Sequence, residues 1–106
     1  MYKPIPESLT IKQSSINGLG LFADQKIMHG TNLGMSHLKI GDTIFRTPLG
    51  GFINHANEAN CVKAELRMTS EDLQGHQYSY KKWNLITSQD IEKGEELTVR
   101  YTFYKV

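Results

Sequence analysis

The stretch that decides the fold of this chain is Gly51-Phe52-Ile53-Asn54-His55-Ala56-Asn57-Glu58-Ala59-Asn60-Cys61. It places an Asn-His pair in an otherwise apolar setting and sets a further Asn, Asn60, a short distance on. Amide and imidazole groups are costly to bury unless each donor and acceptor finds a partner. The stretch therefore predicts a buried polar site rather than plain core.

Two other stretches combine glycine turns with short apolar segments: Gly94-Glu95-Glu96-Leu97-Thr98-Val99-Arg100-Tyr101 and Gly18-Leu19-Gly20-Leu21-Phe22-Ala23. The second also fits the G-x-G-x-x-A fingerprint of dinucleotide-binding domains. That fingerprint needs a helix whose N-terminus faces the pyrophosphate. Here His29-Gly30 ends the stretch before a helix can grow, so a glycine hairpin turn is the simpler interpretation.

Taken in chain order, the glycine element, the Asn-His element and the Gly-Glu-Glu-Leu element that ends at Tyr101 resemble the SET domain of protein-lysine methyltransferases, over roughly residues 8–104. The resemblance implies a single domain spanning residues 1–106 and a mainly β fold of the SET type. That fold is a β-clip of small antiparallel sheets with little helix and a C-terminal pseudoknot. The sequence departs from the family pattern at Ala56, where Ser is usual, and at Ala59, where Pro is usual. Both departures affect the loop that follows the Asn-His pair.

The resemblance also implies a cofactor, S-adenosyl-L-methionine, and a catalytic Tyr101, whose hydroxyl would lie beside the transferred methyl group. Without the resemblance, the simpler interpretation of Asn54 is a hydrogen-bonded residue at a turn, and that of His55 is a core histidine whose hydrogen bonds are made. Tyr101 would then be a half-buried tyrosine at the end of a strand. Phe52 and Ile53 would supply apolar walls for the cofactor. The residues implied for cofactor binding are Gly18, Leu19, Gly20, Asn54, His55 and Tyr104.

The composition excludes several classes of function. With 106 residues and a formal charge of +1, the chain is long enough for one modest core and has no electrostatic footprint for nucleic acid. Its apolar runs are too short to span a bilayer, and its N-terminus lacks the apolar core of a signal peptide. We expect a cytoplasmic protein, or a nuclear one if it acts on chromatin, and not a secreted one.

Alternation and turn signals predict mostly strands, with no helix of three turns. Pro48-Leu49-Gly50-Gly51 is expected to break the chain before the Asn-His segment, and residues 69–75 to form a capped helical turn or a hairpin loop. The predicted strands are 9–13, 19–23, 31–33, 37–40, 43–46, 61–68, 78–88 and 97–101.

Other candidate residues are interpreted as structural. Adjacent strand residues point to opposite faces, so Glu95 and Glu96 cannot form a catalytic dyad and are expected in a turn or at the surface. Cys61 and Trp83 are expected in the core, and a single cysteine cannot form an internal disulfide. Three histidines lack metal-ligand spacing: His29, His37 and His76. Five aromatics are candidate channel walls, although most are expected in the core: Phe45, Tyr78, Tyr80, Phe103 and Tyr104.

The leading hypothesis is methyl transfer to the side-chain amine of a protein lysine. The reaction needs a neutral amine, and neutralising a free lysine at pH 7 costs roughly 4.6 kcal/mol. SET enzymes usually carry an insert before the Asn-His segment, and residues 33–50 leave fewer than twenty positions for it. The peptide groove is therefore expected to be shallow or completed in a homodimer. A cysteine-rich zinc module after Tyr101 is expected to be absent.

Two alternatives remain. One is a catalytically inactive SET-like module that binds a peptide or partner, and the other is a small β structural or assembly domain.

Overall fold

The computed structural model describes residues 4–100 of the 106-residue chain. Its elements are strands β1 (Leu9–Gln13), β2 (Leu19–Ala23), β3 (Asn32–Ile40) and β4 (Thr43–Arg46), helix α1 (Pro48–Phe52), and strands β5 (Asn54–His55), β6 (Cys61–Glu71), β7 (Gln77–Thr87) and β8 (Thr98–Val99). The prediction of a mainly β fold with little helix is confirmed.

The strands of residues 4–100 form two sheets. β1 and β2 form an antiparallel hairpin, and the other strands form a six-stranded sheet in the order β4-β3-β7-β6-β8-β5. The pairings β3–β4, β3–β7 and β6–β7 are antiparallel, whereas β8 runs parallel to both β5 and β6. The single strand β3 replaces the two short strands predicted over this region, because irregular register near residues 32–37 interrupts its alternation.

Helix α1 corrects one sequence expectation. Residues 48–51 do not simply break the chain, because Thr47 caps a one-and-a-half-turn helix with Pro48 at its start. The Thr47 hydroxyl oxygen accepts from the Gly50 amide at 3.4 Å. A Cβ on Gly50 would lie 2.2 Å from the Ser36 carbonyl oxygen. The glycine therefore lets the helix pack directly against β3.

The core lies where the β1–β2 hairpin and α1 cover one end of the large sheet. Cys61 and Trp83 are buried, as the sequence predicted, whereas Phe45 and Tyr78 are not, with 51% and 43% of their surfaces exposed. Both aromatics lie on the face of the large sheet opposite to the one that carries Cys61 and Trp83, and we call it the outer face. The core cluster is Leu9, Leu21, Ala23, Ile27, Leu33, Leu49, Ile53, Cys61, Leu85, Ile91, Leu97 and Val99.

Candidate functional site

The three sequence elements meet at one place. The Leu97 amide donates to the Leu21 carbonyl at 2.8 Å and the Ala23 amide to the Glu95 carbonyl at 2.9 Å, so residues 94–97 run along β2. The chain then enters β8, which pairs in parallel with β5. We call this meeting of β2, residues 94–97, β5 and β8 the motif junction. At the motif junction, backbone hydrogen bonds hold together segments that lie far apart in the sequence.

The Asn54 side chain crosses the motif junction. Its Nδ2 donates to the Asn17 carbonyl at 3.1 Å, the Leu19 carbonyl at 3.3 Å and the Glu96 Oε2 at 2.9 Å. The two amide hydrogens are thus shared among three acceptors, which fixes the orientation of the amide. The Asn54 Oδ1 accepts no hydrogen bond from residues 4–100. The described residues thus leave this oxygen open to a ligand.

Glu96 is the residue that sequence reasoning missed. It was expected in a turn or at the surface, yet it is half-buried and its two carboxylate oxygens each lie 2.8 Å from the Ser14 hydroxyl. A Cβ on Gly20 would lie 2.3 Å from Glu96 Oε2, so this glycine makes room for the carboxylate. Glu95 is exposed and Glu96 is turned inward, as adjacent residues of an extended segment are.

Asn60 ties the loop after β5 to the same region. Its Nδ2 donates to the Glu96 carbonyl at 2.9 Å, and its Oδ1 accepts from the Thr98 amide at 2.8 Å. The Asn60 carbonyl also accepts from the Ser88 amide at 2.9 Å. The side-chain amide of Asn60 therefore bonds to backbone groups as the peptide group of an adjacent strand would. Both its donor and its acceptor have a partner, as a buried polar side chain requires.

The predicted cofactor residues lie around the motif junction with different degrees of exposure. Gly20 is buried, whereas Gly18 and Leu19 face outward; Leu19 is 51% exposed, and a side chain on Gly18 would meet no atom within 4 Å. Asn54 is buried, and His55 is half-buried on β5 opposite Val99. The structure thus brings Gly18, Leu19, Gly20, Asn54 and His55 into one region. Tyr101 and Tyr104 lie outside the described residues.

Three titratable side chains on the core-facing side of the large sheet have perturbed pKa values. Burial lowers the pKa of His37 to about 4, assisted by the nearby cations Lys63 and Arg46. Burial also lowers the pKa of Lys63 to about 8 and raises that of the Cys61 thiol to about 12. The thiol therefore stays protonated at neutral pH, which makes it a poor nucleophile. Within residues 4–100, no cluster of three or more His, Cys, Asp or Glu could hold a metal ion.

The class of protein follows from comparison with known families. The SET domain model matches residues 35–102, which is more than half of the chain, so the chain belongs to the SET domain family. The glycine element at residues 18–23 precedes the matched range, although it lies against matched residues in the structure.

A solved structure from Plasmodium falciparum, the "putative histone methyltransferase", resembles this fold with a TM-score of 0.65. The two are 15% identical in sequence, and the alignment covers 95% of this chain and 100% of that one. This likeness concerns the fold. No curated protein matches the sequence.

Proposed function

We propose that this protein transfers a methyl group from S-adenosyl-L-methionine to the side-chain amine of a protein lysine. The observation that carries the proposal is the motif junction, where the glycine element, the Asn-His pair and the Glu95-Glu96-Leu97 segment meet. These elements belong to methyltransferases of this family by resemblance. Their assembly around Asn54 Oδ1, an acceptor that the described residues leave open, supports a role beyond packing.

The residues at the junction fit an amino-acid-like ligand. The Asn54 Oδ1 can accept from the ammonium group of the cofactor, and the exposed backbone at Gly18 and Leu19 permits close approach of a ligand. His55 would complete this side of the site. When bound, S-adenosyl-L-methionine supplies a methyl group on a positively charged sulfur.

Tyr101 is our candidate catalytic residue, and it follows the β8 residue Val99 by two positions in the sequence. Its hydroxyl would orient the lysine amine. Desolvation in an apolar channel would lower the lysine pKa, since burial disfavours the charged ammonium. Tyr104 would stack on the adenine. We further propose the C-terminal pseudoknot of the family for residues beyond β8.

Calorimetric titration of S-adenosyl-L-methionine into the purified protein tests the cofactor site. Asn54→Ala should abolish saturable binding, whereas Asn57→Ala, which removes an exposed amide three residues away, should leave it unchanged. Asn54 also holds the turn at residues 17–19 through the Asn17 and Leu19 carbonyls. The folded fraction of each variant is therefore checked by circular dichroism. Equal binding by wild type and a folded Asn54→Ala variant would contradict the assigned role.

Transfer itself is tested with tritiated cofactor and lysine peptides. Tyr101→Phe should keep cofactor affinity and lose most of the methyl transfer, because only the hydroxyl is removed. Full transfer by this variant would show that Tyr101 is not catalytic. The lysine target is a protein or peptide, and we place the activity in the cytoplasm, or in the nucleus if the target is chromatin.

A second candidate is a catalytically inactive module that binds a peptide. The observation favouring it is that residues 32–52 form β3, a tight turn, β4 and α1. This region therefore contains no separate insert that could form one wall of a substrate groove. Retained peptide binding without any cofactor binding would identify this function. Turnover on a lysine substrate would exclude it.

The homodimer remains part of the proposal, and the outer face of the sheet is the surface on which we place it. Its exposed apolar residues share one side of strands β4, β3, β7 and β6. Four strands at about 4.8 Å spacing and the 11 residues of β6 at about 3.3 Å each give this face about 20 by 35 Å, or roughly 700 Å². The area of this face is close to the roughly 800 Å² that each partner buries in a standard interface. The exposed residues are Ile40, Phe45, Val62, Leu66 and Tyr78.

Sedimentation tests the dimer in two directions. Leu66→Lys should give a monomer by placing a charge in the apolar face. Lys82→Met should tighten association, because Lys82 is the only charged side chain on this face among the described strands. A wild-type protein that sediments as a monomer and still methylates peptide would overturn the dimer alone.

A further inference from the structure

Three cations form a row across the large sheet, far from the motif junction. Arg67 on β6 lies opposite Lys81 on β7, and Lys81 lies opposite Lys39 on β3. Residues directly opposite one another in antiparallel strands share a face, so the three side chains leave the sheet on the same side. Like charges placed directly opposite are destabilising. The row therefore costs stability in the free protein.

Local carboxylates compensate the row only in part. Arg67 Nε lies 3.6 Å from Glu65 Oε2, and both side chains are substantially exposed, so this pair is screened by water. Among residues 4–100, no carboxylate lies within ion-pair distance of Lys39 or Lys81. Within the part of the chain that the structure describes, two of the three cations are thus left for solvent or a ligand.

The row lies in a concave part of the surface with a volume of about 360 Å³. Next to the cations, Thr69 on β6 pairs directly with Ser79 on β7, which places two hydroxyl donors on the same face. Gly41 closes the end of β3 without a side chain, and this leaves the hollow open. The hollow therefore combines positive charge, hydroxyl donors and space.

From this geometry we infer an anion-binding site for a linear chain of phosphate groups. The outer cations are separated by two interstrand spacings, about 10 Å, which exceeds the width of a single phosphate. Guanidinium, ammonium and hydroxyl groups are the donors that phosphate oxygens accept from. The site lies about 20 Å along β6 from the pairing of Cys61 with Val99, so it is separate from the proposed cofactor site.

Chemical-shift titration of ¹⁵N-labelled protein with tripolyphosphate at 50 mM salt tests the site. We expect saturable shifts at residues 39, 67, 69, 79 and 81, with orthophosphate at matched ionic strength binding at least about tenfold more weakly. Lys81→Gln should weaken tripolyphosphate binding about tenfold, because a hydrogen bond to a charged group contributes about that much. Lys93→Gln, which removes an exposed lysine outside the large sheet, should have no effect.

Three results would overturn the inference: no saturable shifts, equal affinity for orthophosphate, or equal losses in the two lysine variants. A measurement without ligand gives a second check. Lys81→Gln should raise the melting temperature at low salt by about 1–5 °C, because it removes the central charge of the row. An unchanged or lower melting temperature of Lys81→Gln would contradict repulsion among the three cations. Cofactor binding should be the same in all these variants, so the phosphate site can fail independently of the proposed function.

Discussion

The two ends of the β6–β7 hairpin use polar residues in opposite ways. At the motif junction, the side chains of Asn54, Asn60 and Glu96 bond to backbone or side-chain groups of the protein. At the far end, Lys39 and Lys81 are half-buried and have no carboxylate partner among the described residues. Polar groups at the junction hold segments together, whereas those at the far end are kept for contact with something else. Substitutions should therefore affect stability at the first end and binding at the second.

The largest effect on stability is expected for Gly50→Ala in α1. The new Cβ would lie 2.2 Å from the Ser36 carbonyl oxygen, and a backbone atom cannot move aside cheaply. We expect a loss of about 3 kcal/mol or more in urea unfolding. Gly51→Ala is the matched control, because its Cβ would meet nothing within 4 Å, and it should be neutral or stabilising by up to about 1 kcal/mol. Similar values for the two variants would disprove the close packing.

The next largest effect is expected in the pH dependence of the free energy of unfolding. His37 is 1% exposed and has a pKa of about 4 in the folded protein, below the usual 6.5. Its stabilising contribution is full above pH 6.5 and is lost as the pH falls towards 4, because only the unfolded chain takes up the proton. The loss should reach about 3 kcal/mol. His37→Gln should remove this component, and His29→Gln, at an exposed site, should retain it. Identical pH profiles for wild type and His37→Gln would contradict the prediction.

A smaller loss is expected for Asn54→Ala. The substitution takes away the amide hydrogens shared by three acceptors and leaves the Glu96 carboxylate with fewer donors. We expect about 2 kcal/mol in urea unfolding. Asn57→Ala should change stability by less than about 0.5 kcal/mol, because that side chain is exposed. If both variants lose the same amount, the junction is not held by Asn54.

The smallest effect belongs to the far end of the hairpin. Glu65→Gln removes the partner of Arg67 and should cost no more than about 0.5 kcal/mol, since both side chains are exposed. The difference from wild type should shrink further at 1 M salt. A loss above 1 kcal/mol would mean that the far end is held by its charges and would remove the contrast between the two ends.

Much of the fold could be predicted from the sequence. β1, β2 and β4 have the predicted bounds, because regular alternation and glycine turns mark them clearly. β6 extends to Glu71, beyond the predicted end at Met68, because its pairing with β7 continues as far as Gln77. A helix at residues 48–52 could not be expected from two glycines and a proline, since it depends on the Thr47 cap and on packing against β3.

The candidate site was only partly predictable. The Asn-His pair and the glycine element could be chosen by resemblance, but nothing local indicates that Asn54 reaches the Leu19 carbonyl, 35 residues away. Glu96 was misplaced because a pair of adjacent glutamates after a glycine usually marks an exposed turn. The inward direction of its side chain is set by the backbone bridge between Phe22 and Glu96, which is a tertiary contact. Within the part of the chain described, no helix is long and apolar enough to cross a membrane.

The parallel pairing of β5 with β8 also has a consequence for the order of folding. It joins Asn54 to Thr98, whereas β6 and β7 are joined by a short hairpin turn. Closing a long loop requires more chain entropy to be given up before any contact is gained, so local hairpins form earlier. We expect the hairpins to be in place before β8 docks. The motif junction would then be among the last regions to form, and a chain interrupted before residue 98 would lack the proposed site while retaining most of its sheet.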